Sequence, residues 1–358
     1  MKREFWAGRR VLVTGHTGFK GSWLALLLGD AGARVTGYAL DPPTTPSLFE
    51  TARVADGIDS VKGDIADVAA LEAVVRRANP DVVLHMAAQS LVRASYDDPM
   101  ETYRVNVMGT VGVLEALRRV PGKRTVIVVT TDKCYENREW VWGYRENDAL
   151  GGRDPYSNSK ACAELASAAY RASFFPPADH AKHGVAMATA RAGNVIGGGD
   201  WGKDRVVPDI VTALREGKAA KIRNPDAYRP WQHVLDALHG YLVLAESLTA
   251  SPAEFAEAWN FGPSEENVLP VRALADDLCR LWGKGARWEQ DAGPKPHEAT
   301  RLMLDSSKSR MRLSLPKNLD YATTLAWTAE WYRAFHDGGN ARDLTLAQIR
   351  KYLSQETR

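Results

Sequence analysis

An apolar run from Arg10 to Thr14 breaks into Gly15-His16-Thr17-Gly18-Phe19-Lys20-Gly21, then resumes as a helical pattern, SWLALLLGDAGA. Val35 to Leu40 follows as a second strand-like run. Strand, glycine turn, helix and strand make a βαβ unit. Glycines at that turn let backbone approach a pyrophosphate, whose charge the helix N-terminus stabilises. The spacing here is Gly-x-x-Gly-x-x-Gly rather than Gly-x-Gly-x-x-Gly, and a tight packing turn is the competing reading. In this strand–helix context we assign Gly15, Gly18 and Gly21 to dinucleotide binding. His16 and Lys20 are ribose or phosphate candidates, or else solvated loop residues; Phe19 shares the turn and is counted with the cofactor contacts. An acidic residue about twenty positions on should hold the adenosine ribose, and Asp41 is the candidate.

The alternation continues. Ser60 to Gly63 reads as a strand ending in Asp64-Ile65, Ala66 to Ala78 as a helix, and Asp81 to Met86 as a buried strand. In HMAAQ, Ala87 and Ala88 are small enough for a cofactor to lie across the strand end, or simply pack tightly. Pro99 to Arg119 reads as a helix in which Asn106 sits among apolar neighbours, so a buried role is expected. Arg124 to Thr131 is a β-branched strand. Strands alternating with helices imply a doubly wound parallel sheet in the α/β class. Ligands bind at the carboxyl ends of such strands, where Gly15, Ala87 and Thr131 fall. From Gly184 the pattern becomes mixed, with helices expected over 206–216, 234–248, 271–282 and 321–337. We read residues 1–193 as the dinucleotide-binding domain, with a strand and helix returning from 233–263. Residues 194–358 form a smaller, intertwined, mixed α/β substrate lobe on the C-terminal side.

The balance of 46 Lys and Arg against 44 Asp and Glu leaves a net charge of +2, with no basic run to suggest a nucleic-acid partner. Cys134, Cys162 and Cys279 are scattered, which argues against a disulfide framework or a metal cluster and for a reducing cytoplasm. No apolar run approaches a membrane span, and the basic N-terminus lacks the apolar core of a signal peptide.

Chemistry concentrates between Val128 and Glu164. Tyr156 and Lys160 stand four apart at a helix start, hence on one face. A lysine cation beneath the phenol would lower its pKa toward neutral, and a phenolate beside a nicotinamide can take an alcohol proton. Tyr-x-x-x-Lys is common by chance and gains weight only from Thr131-Asp132-Lys133 upstream.

Together, GHTGFKG, Asp64, HMAAQ, RVNVMGT, TTDKCYENREWVWGYREN, DPYSNSK, RAGNVIGGGDW and RNPDAYRPWQHV resemble the extended short-chain dehydrogenase/reductase family. Within it they resemble the CDP-D-glucose branch of the nucleotide-sugar 4,6-dehydratases, from about Phe5 to the C-terminus. The resemblance implies a Rossmann domain with tightly bound NAD and a nucleotide-sugar lobe. It implies NAD contacts from the three glycines, Asp64, Ile65, Ala87, Ala88, Tyr156 and Lys160, with Asn106 supporting the central helix. Tyr156, Lys160 and Thr131 match the reductase triad, and Asp132 matches the general acid of hexose dehydratases. Lys133 departs from the Asp-Glu pair typical of the dTDP-glucose enzymes, so it is either the base at carbon 5 or an electrostatic aid. Arg229 matches the pyrophosphate arginine, and Asn194 is expected to meet a phosphate or sugar oxygen. Arg205 and Arg301 are weaker phosphate candidates, and Trp231 either stacks on the base or packs in the core.

The implied reaction turns CDP-D-glucose into CDP-4-dehydro-6-deoxy-D-glucose and water. It belongs to deoxysugar biosynthesis of the kind that feeds lipopolysaccharide O-antigen. The implied assembly is a homodimer or homotetramer through helices 101–119 and 156–173. An epimerase would have no use for the acid–base pair after Thr131, and a non-catalytic NAD sensor need not keep Tyr156, Lys160 and Thr131 together.

Overall fold

Seven strands form one parallel sheet in the computed structural model, which describes residues 1–283, 285–293 and 301–355. They are β1 (Arg10–Thr14), β2 (Arg34–Ala39), β3 (Asp59–Lys62), β4 (Val82–His85), β5 (Arg124–Val129), β6 (Val185–Ala192) and β7 (Ala258–Phe261). Every residue of β4, β5 and β6 is buried. Both faces of a parallel sheet are covered by helices, which is why these strands read as continuous apolar runs. Successive side chains still go to opposite sides. Val11, Val13, Val82, Leu84, Ile127 and Val129 enter one core, while Leu12, Val83, Val126 and Val128 enter the other.

The first core is closed by α1 (Phe19–Asp30) and α5 (Val234–Ala250), each buried along most of its length. The second is closed by α2 (Val68–Ala78) and α3 (Gly109–Arg119). The next helix, α4 (Pro155–Ser173), lies beside α3. The strand order β7-β6-β5-β4-β1-β2-β3 reverses between β1 and β4, and that reversal opens a crevice at the carboxyl ends of the two strands.

Two local features refine the expectations. The helix expected over 99–119 contains a π-helical turn at Arg104–Met108, centred on Asn106. The strand expected to reach Thr131 ends at Val129, because Thr131 caps a 3-10 turn, Asp132–Cys134, by accepting the Lys133 N–H at 3.3 Å.

Beyond the sheet, residues 228–230 pair antiparallel with 268–270, and 220–222 pair parallel with 288–290. The chain then returns through α6 (Tyr321–His336) and α7 (Ala341–Gln355). The second of these was not expected. It lies against α1, where Arg350 meets Asp30 at 3.0 Å, and reaches α5, where the Tyr352 hydroxyl donates to Asp236 at 2.9 Å.

Candidate active site

The turn between β1 and α1 sits in the crevice. Gly15 has φ of +78°, and a Cβ there would stand 2.7 Å from the Ala87 nitrogen, so the turn and the end of β4 touch backbone to backbone. A Cβ on Gly21 would overlap the Gly15 carbonyl. Gly18 caps α1 without a side-chain acceptor, and a Cβ there would meet only the Gly15 oxygen, at 3.5 Å. The turn is closed on its inner side and open at its mouth, where the first-turn amides of α1 lack intrahelical partners. This cradle fits a dinucleotide pyrophosphate.

Its side chains go elsewhere than expected. His16 is buried, bonds Ser60 at 2.7 Å, and is held neutral by burial at about 4, so it is not a solvated loop residue. The Phe19 ring packs into the core beneath Gly197. Lys20 turns inward, 6.0 Å from the centre of the Tyr241 ring, and burial with the charge of Arg205 lowers its pKa to about 8. Asp41 lies beyond the end of β2, 72% exposed and ion-paired with Lys62.

Asp64 accepts the Ala66 amide at 2.9 Å and Arg104 at 3.0 Å, and Ile65 packs under Gly109. Ala87 and Ala88 are half-buried at the end of β4. Asn106 is buried as expected. It accepts the Gln89 amide and donates to the Gln89 carbonyl and the Ser159 hydroxyl, all at 2.9 Å. Its π turn thereby joins the β4 loop to α4.

The 3-10 turn after β5 faces the start of α4. Asp132 is 2% exposed and accepts the Thr131 hydroxyl at 3.0 Å. Burial raises its pKa, while the charges of Lys133 and Arg229 oppose the rise. Lys133 itself is half-buried. Lys160 donates to the Val129 carbonyl at 3.4 Å. Burial and the charge of Lys20 lower its pKa to about 8. The expectation that Lys160 brings Tyr156 toward neutral is corrected. Burial dominates and lifts Tyr156 to about 12, against the opposing Thr131 hydrogen bond and Arg205 charge.

The model of the GDP-mannose 4,6 dehydratase family matches residues 12–261, from within β1 to the end of β7. The chain belongs to this dehydratase family. It is 51% identical over 356 residues to the CDP-glucose 4,6-dehydratase of Salmonella typhimurium, covering 99% of each chain. A dTDP-glucose 4,6-dehydratase of Streptomyces niveus is 28% identical, covering 90% of this chain and 93% of that one. Among solved structures, a Streptomyces venezuelae dTDP-glucose 4,6-dehydratase with NAD and TYD bound matches with a TM-score of 0.75 and 26% identity. That match covers 92% of this chain and 98% of the other.

In this family member the remaining candidates divide. Arg229 is buried, donates to the Tyr228 carbonyl at 2.8 Å, and directs its charge at Asp132. Arg205 is no plain surface arginine. It holds both oxygens of Asp200 at 3.1 and 3.0 Å and the Ser90 hydroxyl at 2.9 Å, with its charge acting on Tyr156. Arg301 stands 5.3 Å from the centre of the Tyr228 ring, and Asn194 is half-buried just past β6. Trp231 is corrected to core packing: it is 1% exposed and its N–H donates to the Leu269 carbonyl at 3.1 Å, leaving no face for a base.

Three residues escaped sequence reasoning. Asp200 anchors Arg205, and the acidic residue in GGGDW was its only signal. Tyr241 is buried with its charge-sensing phenol near Tyr156 and Asp132, and its hydroxyl has no partner among the described residues. Glu164 continues the four-residue spacing of Tyr156 and Lys160. Among the described residues no helix is long and apolar enough to cross a membrane, and no group of three His, Cys, Asp or Glu is placed to hold a metal.

Proposed function

We propose that the chain converts CDP-D-glucose into CDP-4-dehydro-6-deoxy-D-glucose and water. What carries this reading is the 51% identity, over 99% of both chains, to a CDP-glucose 4,6-dehydratase. NAD is the cofactor of this reading: when bound, it supplies the acceptor for the hydride of carbon 4 and the donor of the same hydride to carbon 6. The turn of Gly15, Gly18 and Gly21 with the first-turn amides of α1 holds its pyrophosphate. Asp64, Ile65, Ala87 and Ala88 line the crevice beside it, and Asn106 fixes the β4 loop.

The chain's own groups move the protons. Tyr156 takes the proton of the hydroxyl at carbon 4 and hands its own to Thr131, which already donates to Asp132 at 3.0 Å. Asp132 enters as the carboxylate that accepts the Thr131 hydroxyl and takes up the relayed proton, which burial helps it hold, so the relay ends on a carboxylic acid. Asp132 then gives that proton to the hydroxyl leaving carbon 6, so the proton lost at carbon 4 departs in the water. A phenol near 12 suits such a concerted hand-off better than a standing phenolate. Lys160, as a cation, stabilises negative charge building on the phenol. The Lys133 amine, beside Asp132, removes the proton at carbon 5, which the new ketone has acidified, and gives a proton back to carbon 5 once the hydride has reached carbon 6. Arg229 and Asn194 hold the diphosphate, with Arg205 and Arg301 flanking them.

Met108, in the π turn that leads into α3, and Leu165, on α4, are each 58% exposed and support a homodimer through these helices. We place the chain in the cytoplasm from its free cysteines.

The deciding experiment offers CDP-, dTDP-, UDP- and GDP-hexoses with NAD and follows the alkali-induced absorbance of a 4-ketosugar. CDP-glucose should give it at the highest kcat/KM. Preference for another nucleotide would move the substrate assignment.

A further inference from the structure

The face of α4 that carries Tyr156 and Lys160 carries a third polar side chain one turn on. Glu164 is 3% exposed. One of its oxygens accepts the Thr130 hydroxyl; the other accepts the Thr189 hydroxyl at 2.7 Å and Arg191 at 2.9 Å. Arg191, also buried, reaches on to the Tyr135 hydroxyl at 2.8 Å, and Tyr135 donates to Asn260 on β7 at 2.7 Å. A buried ion pair of this kind is a poor source of stability, since well-packed apolar residues of the same volume often serve as well. Its location offers another reason for it. Lys160 holds Val129, Glu164 holds Thr130, and the next residue is Thr131. Two successive turns of α4 therefore grip two successive residues at the end of β5, immediately before the proposed proton relay.

We propose that Glu164 and Arg191 are positioning residues for the reaction proposed above. They set the Tyr156–Lys160 helix against Thr131 and Asp132, and the Glu164 carboxylate keeps Lys160 charged. The inference rests on that functional reading for its kinetic consequence but not for its electrostatic one. Lys160 faces Lys20 from α1, His85 from β4, Cys134 from the 3-10 turn and Glu164 from its own helix. Burial and Lys20 push it down to about 8, and Glu164 is the main group opposing them. Without that carboxylate, Lys160 loses its proton at lower pH.

The test is Glu164→Gln/Arg191→Met, which removes both charges together and so leaves no unpaired buried ion. The pair is expected to keep a cooperative melt and a KM for CDP-glucose within about twofold of wild type. Its kcat should fall about 10²-fold, the scale of a misplacement near 1 Å, with the alkaline limb of kcat moved to lower pH. A folded double variant with wild-type kcat and limb overturns the proposal. If the double variant does not fold, Glu164→Asp replaces it, keeping the charge but drawing it back by one methylene. A lowered kcat at unchanged KM is then expected, and wild-type kcat refutes it. The ¹³Cε titration of Lys160 in labelled protein reads the electrostatic half without substrate. An unchanged titration in the double variant overturns that half, whereas absence of ketosugar from the wild type indicts the functional reading instead.

Discussion

Gly15→Ala probes the cradle on which cofactor binding rests. Gly15 has φ of +78°, and its added Cβ would lie 2.7 Å from the Ala87 nitrogen and 2.8 Å from the Ala87 Cα. The left-handed conformation costs an L-residue about 1–2 kcal/mol. Relieving the overlap requires the β1–α1 turn and the β4 end to part by roughly half an ångström or more, and overpacking of this kind costs about 1–3 kcal/mol. Both partners are backbone, so no side chain can rotate away. The two terms together suggest about 2–5 kcal/mol, partly recovered by opening the crevice. The midpoint of thermal unfolding should drop by several degrees. Because the crevice opens where the pyrophosphate is cradled, affinity for NAD should weaken about tenfold or more. Differential scanning fluorimetry and calorimetric titration with NAD measure the two effects. A variant that melts within a degree of wild type and binds NAD equally well would refute the close approach and the cradle with it.

Three further outcomes are expected. Tyr156→Phe should lower kcat about 10²-fold or more, the scale of a positioned general base, while NAD titration stays near wild type; wild-type turnover removes the relay's first member. Lys133→Met should still reduce bound cofactor in a single turnover yet fail to exchange carbon 5 with deuterated water, and normal exchange would reassign the base to Tyr156 or a water molecule. Stability should fall as pH drops from 7 to 5. His16, His85 and His233 are held by burial at about 4, 3 and 3, so the unfolded chain takes up their protons near 6.5 while the folded one resists. Asp236 and Asp209, raised by burial to about 7 and 6, pull the other way, because their protonated forms favour the folded state at low pH. The three imidazoles outnumber the two carboxyls raised into this range, a difference of one proton or about 1.4 kcal/mol per pH unit toward pH 5, reduced by what Asp132 and Glu146, also raised by burial, take up. A melting midpoint that rises on acidification would contradict this balance.

The sheet was legible because buried parallel strands print as apolar runs and the glycine turn prints as spacing. Asn106 was legible too, since an amide among apolar neighbours must be satisfied from within. What the sequence hid depends on direction rather than on residue type. Lys20 and His16 share one turn, yet one points under Tyr241 and the other toward Ser60. Trp231 sits in a polar, proline-bearing stretch that reads as a binding loop, but pairing of 228–230 with 268–270 folds it into the core. Helix α7 escaped notice because two of its buried positions, Thr345 and Gln348, are polar, and its burial comes from packing against α1. The Tyr156 pKa followed from burial, which local spacing with Lys160 does not reveal. Glu164 stood in plain sight at the next turn, but its partners Thr130, Thr189 and Arg191 are brought to it only by the sheet.

The central claim is that one active site oxidises carbon 4, eliminates water across carbons 5 and 6, and returns the same hydride. Turnover of CDP-D-glucose carrying deuterium at carbon 4, in ordinary water with NAD, tests it directly by proton and deuterium NMR of the product. The account predicts a 4-keto product whose methyl group at carbon 6 carries the deuterium, with a solvent proton at carbon 5. Deuterium lost to solvent, or recovered at carbon 4 of a CDP-hexose that keeps its hydroxyl at carbon 6, would contradict it.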